Sequence, residues 1–154
     1  MSGDPRQTLV EQRTPTNLKP LLLWTSLMFL YIQNDYFSLY TAGTIDDMAR
    51  GRVGPLGAVA VADALLTGLS MMMALPALMI FLSAALPPLA SRSLNVTLGL
   101  AYTGIEIMTL FGSPVFYKII VAGEIVLTAL IVFHALRWPK KNPIDLEFVK
   151  LAIN

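Results

Sequence analysis

PLLLWTSLMFLYIQNDYFSLYT, residues 20–41, is a long apolar run that carries Gln33, Asn34 and Asp35 inside it. At about 1.5 Å per residue, its roughly 22 residues cover a bilayer core of roughly 30 Å, so the run predicts one membrane crossing. Residues 1–19, with Asp4, Glu11 and Pro15, lack a short apolar core followed by a small-residue cleavage site. They read as a cytoplasmic tail, and the first helix as an uncleaved anchor.

Composition extends that reading to the rest of the chain. Its 154 residues are 55% hydrophobic and 14% charged, too apolar for an ordinary soluble domain. A net charge of +1 leaves no basic surplus of the kind that neutralising nucleic-acid phosphates requires. With no cysteine, disulfides, thiolate metal sites and cysteine nucleophiles are excluded. After the first run comes a polar loop from Thr44, and Gly54-Pro55 has the form of a cap and first residue for a second helix. That helix is expected over 55–86, with Pro76 as an internal hinge facing the carbonyl of Met72, and Pro87-Pro88 ends it. A third helix is expected over 93–112 and, after Ser113-Pro114, a fourth over 114–138. In the tail 139–154, Ile144, Phe148, Leu151 and Ala152 suggest a short interfacial helix. The expected fold is all-α, an integral membrane four-helix bundle with the lipid bilayer as its surroundings.

Basic residues set the orientation. Arg6, Arg13, Lys19, Arg92, Arg137, Lys140, Lys141 and Lys150 fall on one side, and Arg50, Arg52 and Lys118 on the other, which places both termini in the cytoplasm. Trp24 and Trp138 then lie near the cytoplasmic boundary, where amphipathic rings are favoured.

The two helical hairpins resemble each other. Tyr31, Asp35, Ser38, Leu39 and Tyr40 align with Tyr102, Glu106, Thr109, Leu110 and Phe111, and Asp63, Leu66, Thr67 and Leu69 with Glu124, Leu127, Thr128 and Leu130. Helices of equal parity run the same way, so this is the pattern of two parallel helical-hairpin repeats; chance agreement within a narrow apolar alphabet is the competing reading. All four intrahelical acids fall on aligned positions. Asp35, Asp63, Glu106 and Glu124 are expected about 9, 12, 10 and 15 Å from the outer helix ends, with Asp63 free to slide to the rim. An acid at a helix centre costs on the order of 2.5–3.5 kcal/mol on insertion scales, so these should face the bundle interior. Carboxylates gathered in a low-dielectric pocket titrate as one unit and can hold a proton or a cation. Tyr31, Asn34, Ser38, Thr67, Tyr102, Thr103 and Thr128 are candidates to line the cavity, with Lys118 as the nearest counter-charge. Helix–helix hydrogen bonding by neutral acids is the alternative.

Other features carry less. One histidine, His134, cannot make a zinc site alone, and Met71-Met72-Met73 beside Pro76 reads as adaptable packing. No phosphate loop, nucleophile elbow or HExxH is present. Neither enzymatic activity nor a cofactor nor a metal is expected.

Leu23-Trp24 with Asp35, Leu75-Pro76 with Ile80-Phe81-Leu82-Ser83, then Arg92, Asn95, Glu124 and Trp138, resemble a family of uncharacterised bacterial four-helix membrane proteins, a domain of unknown function, over about Lys19 to Lys140. The architecture is also loosely similar to DoxX-like membrane proteins, a likeness that implies a redox-associated subunit. The family resemblance implies a bacterial inner-membrane location. Two functions are consistent with all of this: a transporter-like protein binding a cation or proton at the acids, working as a homo-oligomer, or a non-catalytic accessory subunit of a membrane complex.

Overall fold

A computed structural model describes residues 15–53, 59–60, 63–111 and 113–138. Among these residues the fold is all-α apart from one two-stranded ribbon. Helix α1 spans Leu18–Ser38, α2 Thr44–Ala49, α3 Asp63–Ala85, α4 Pro88–Thr109 and α5 Val115–Leu136. Between α2 and α3, β1 (Arg52–Val53) pairs antiparallel with β2 (Val59–Ala60), Arg52 opposite Ala60 and Val53 opposite Val59.

Prolines set the helix starts. Pro87 and Pro114 are extended N-caps, and Pro88 occupies the first turn of α4, where a missing N–H is no loss. Helix α4 therefore begins at Pro88 rather than at Ser93, and it ends at Thr109. The largest departure from expectation is the second long helix, which starts at Asp63 and not at Pro55. Val59–Ala60, expected to be helical, is a strand instead. Thr44–Ala49, expected to be loop, forms the short α2, bracketed by Gly43 at φ +86° and Gly51 at φ +67°, left-handed conformations that glycine adopts without strain. The tails 1–14 and 139–154, with the proposed interfacial helix, lie outside the described residues.

Helix α5 packs along both α4 and α1, α1 also packs on α3, and α3 meets α4 only loosely. A two-fold relation between the hairpins would make the α1–α5 and α4–α3 contacts equivalent. They are not, so the aligned sequence pattern does not extend to symmetric packing. Trp24, Leu27, Tyr31, Met79, Tyr102 and Ile131 form the apolar core. Trp24 is wholly buried among the helices and donates to Asn95 Oδ1 at 2.7 Å.

Around this core many large apolar side chains face outward, and several polar ones are buried. Phe29, Ile32, Leu78, Phe81, Met108, Ile119 and Val126 are exposed, whereas Asn34, Ser83, Ser91, Asn95, Glu106, Glu124 and Thr128 are buried. Two helices, α3 and α5, are long and apolar enough to cross a membrane. Helices α1 and α4 have similar length but carry more polar residues.

Candidate functional site

Helix spacing builds the site. On α1, Tyr31, Asn34 and Asp35 lie three and four residues apart and so share a face. On α4 the same holds for Tyr102 and Glu106, and on α5 for Glu124 and Thr128. Where α1, α4 and α5 meet, these faces converge. Glu106 and Glu124 are each only 3% exposed. Tyr31 Oη donates to Glu106 Oε1 at 2.7 Å, and Thr128 Oγ1 lies 2.9 Å from Glu106 Oε2. Thr103 Oγ1 lies 2.8 Å from Thr128 Oγ1, which it can serve as donor. Asn34 Nδ2 donates to Glu124 Oε1 at 3.3 Å.

A cavity of about 80 Å³ adjoins both glutamates. Tyr31, Asn34, Asp35 and Tyr102 also line it, as do Met72 and Met73 from α3. Among the described residues no lysine, arginine or histidine lines it. Asp35 is exposed as well as lining the cavity, which places it at the mouth. One atom is anomalous: Asn34 Oδ1 is buried and has no hydrogen-bond partner, although the residue is only 6% exposed. Such an atom is rare in a folded protein and calls for an explanation.

Pro76 contributes indirectly. It sits inside α3 and has no N–H to offer the Met72 carbonyl one turn back. Tyr102 Oη donates to that carbonyl, so the proline in α3 and the cavity wall on α4 are joined by one hydrogen bond.

A second buried polar cluster lies toward the opposite end of the helices. Asn95 Oδ1 accepts from Trp24 Nε1 at 2.7 Å and Ser83 Oγ at 3.2 Å. Asn95 Nδ2 donates to the Ser91 carbonyl at 2.8 Å and to Ser91 Oγ at 3.3 Å, and Ser91 Oγ donates to the Ser83 carbonyl at 3.1 Å. Every capacity of the Asn95 amide is used. This knot ties α1, α3 and α4 together.

Of the expected site residues, Asp35, Glu106 and Glu124 share one cavity with Tyr31, Asn34 and Tyr102. Thr103 and Thr128 stand directly behind Glu106. Asp63 and Thr67 do not join them: both are exposed and line a separate open groove along α3. The later start of α3 makes Asp63 its first helical residue instead of setting it two turns in, and the face that Asp63 shares with Thr67 points outward. Ser38 turns back to the Asn34 carbonyl at 2.8 Å, and Lys118 is exposed and absent from the cavity lining. Met72, Met73, Ile105, Thr109 and Tyr117 also line the cavity and were not expected there. For Met72 and Met73 a signal existed, because they occupy the turn before Pro76 whose hydrogen bonding the proline disturbs. The Asn95 knot was legible only as isolated polar residues in apolar runs. Among the described residues no group of three or more acids or histidines is arranged to hold a metal ion.

Fold and site together define an all-helical protein with an apolar exterior and a buried pair of carboxylates beside a small cavity. The chain belongs to a family of unknown function (DUF6326), which it matches over residues 10–144. No curated protein and no solved structure matches it. The likeness to DoxX-like proteins thus stays a loose analogy of expected architecture.

Proposed function

We propose that the chain is a multi-pass protein of a bacterial inner membrane, with α1, α3, α4 and α5 as its four crossings, that binds a cation or a proton between Glu106 and Glu124. Apolar side chains on the outside and polar ones within suit lipid as the surrounding medium, where intramembrane acids face the protein interior. Each long helix has 21 to 23 residues, about 32–35 Å at 1.5 Å per residue, enough for the hydrocarbon core.

The observation that carries the functional reading is the pairing of two buried glutamates on one cavity whose lining, among the described residues, offers no positive side chain. Removing a carboxylate from water without a counter-charge is unfavourable, and a bound proton or cation relieves it. Packing alone would favour a closed network, as at Asn95. Here a cavity and an orphaned acceptor persist beside the acids. Helix α3 leaves Leu66, Leu69, Met71, Leu75 and Leu78 uncovered, and that face supports assembly with a second copy or with a larger membrane complex.

Proton linkage tests this reading. The melting temperature of the protein in mild detergent should depend on pH between about 5 and 9, because a site that exchanges protons couples stability to pH. Glu124→Gln keeps the acceptor for Asn34 and should flatten that dependence. Parallel curves for the variant and the unmodified protein would remove the site and leave the acids as helix–helix contacts of an accessory subunit.

A further inference from the structure

The donors and acceptors around the cavity are unevenly used, and the imbalance specifies a ligand. The Tyr31 and Thr128 hydroxyls are directed at Glu106, and the Asn34 amide N–H at Glu124. With Glu124 ionised, as a cation requires, that amide orientation holds, since the reverse would set Oδ1 against a carboxylate oxygen. Left over are acceptors: the buried, unpartnered Asn34 Oδ1 and the second oxygen of Glu124. A ligand that donates hydrogen bonds and carries positive charge meets both of these acceptors and the charge of the carboxylates.

Volume and lining narrow it further. About 80 Å³, against about 30 Å³ for one water and about 150 Å³ for a cavity that takes the six carbons of benzene, holds about three or four non-hydrogen atoms. A bare metal ion would leave most of that space empty. Met72, Met73 and Ile105 supply apolar and thioether surface, and the rings of Tyr102 and Tyr117 supply aromatic surface, which attracts organic cations. Asp35 at the mouth adds a negative approach.

We propose that the cavity binds a small primary ammonium ion with an apolar substituent, its N–H groups on Asn34 Oδ1 and Glu124 and its apolar body against Met72, Met73 and the tyrosine rings. This identity rests on the reading of the glutamate pair as a cation site, and it is specific enough to fail separately. A quaternary ammonium satisfies the charge but not Asn34 Oδ1. A neutral alcohol of the same shape satisfies the apolar wall but not the carboxylates.

Propylammonium has four non-hydrogen atoms, the upper end of that range, and is the compound to use. The melting temperature of the full chain in mild detergent is followed while propylammonium chloride is titrated at fixed ionic strength, against tetramethylammonium, propan-1-ol and sodium chloride. Saturable stabilisation is expected with propylammonium, with tetramethylammonium at least about tenfold weaker for want of the charged hydrogen bonds. Propan-1-ol and sodium should give no saturable effect. Glu124→Gln should abolish the response and Asn34→Leu should weaken it by about tenfold or more. The comparison of compounds uses the unmodified protein, so a variant that fails to fold does not decide the result. Equal stabilisation by tetramethylammonium or the alcohol overturns the proposal, as does no response to propylammonium. In the last case, a pH dependence still abolished by Glu124→Gln would leave the proton or cation site standing without an ammonium ligand, and its absence would remove both.

Discussion

Thr128 has one hydroxyl proton and three acceptors within reach: Glu106 Oε2 at 2.9 Å and the carbonyls of Glu124 and Ile125, both at 3.1 Å. The two carbonyls already belong to the helix, so the carboxylate has most to gain. Thr128→Val keeps the shape and deletes the hydroxyl, leaving Glu106 Oε2 without this donor. Such a loss in a buried, membrane-type interior costs about 1–2 kcal/mol. Thermal melting in detergent should show that drop for Thr128→Val and near-recovery for Thr128→Ser. An unchanged Thr128→Val melt would mean that the hydroxyl serves only its own helix. Why the sequence revealed Glu106, Glu124 and Thr128 but misjudged Asp63 and Thr67 is also a matter of residues. Both pairs have acid and threonine four apart on one face. Nothing in a helix that is apolar all round says which face meets its neighbours, and α3 turns this one outward.

At the scale of elements, a proline and a tyrosine on different helices depend on each other. Pro76 frees the Met72 carbonyl and Tyr102 Oη takes it up. In apolar surroundings an unmet carbonyl costs roughly 1–3 kcal/mol. Tyr102→Phe should therefore destabilise the protein by about 1–2 kcal/mol. The same change made in a Pro76→Ala background, where a backbone N–H is restored, should cost less. A double-mutant cycle measured by melting would show coupling of about 0.5 kcal/mol or more; additive effects would mean that the two residues act independently. The hinge expected at Pro76 was thus legible as a missing hydrogen bond, because proline chemistry is local. Its remedy was not, since Tyr102 is distant in sequence. The same division holds for helix ends. Pro87-Pro88 and Ser113-Pro114 were read as breaks from local chemistry, whereas Gly54-Pro55 suggested a helix start that is not realised until Asp63.

At the scale of the whole molecule, the two buried polar clusters divide the labour. The Asn95 knot is saturated with hydrogen bonds and joins three helices, so its role is to hold them in register. The glutamate cavity lies toward the end where α1 and α4 finish, beside α5, and it retains unused acceptors. If α1 enters from the cytoplasm, as the distribution of basic residues suggests, the cavity opens toward the outer face and any ligand arrives from outside the cell. Because the chain has no cysteine, this can be tested without background. Met48 on α2 and Leu89 in the first turn of α4 are both exposed and belong to opposite ends of the long helices. In intact spheroplasts a membrane-impermeant maleimide should label Met48→Cys at once and Leu89→Cys only after lysis. The opposite pattern would turn the cavity toward the cytoplasm and make the ligand an internal one. Labelling of both before lysis would rule out α3 as a membrane crossing, since that helix alone separates the α2 side from the start of α4.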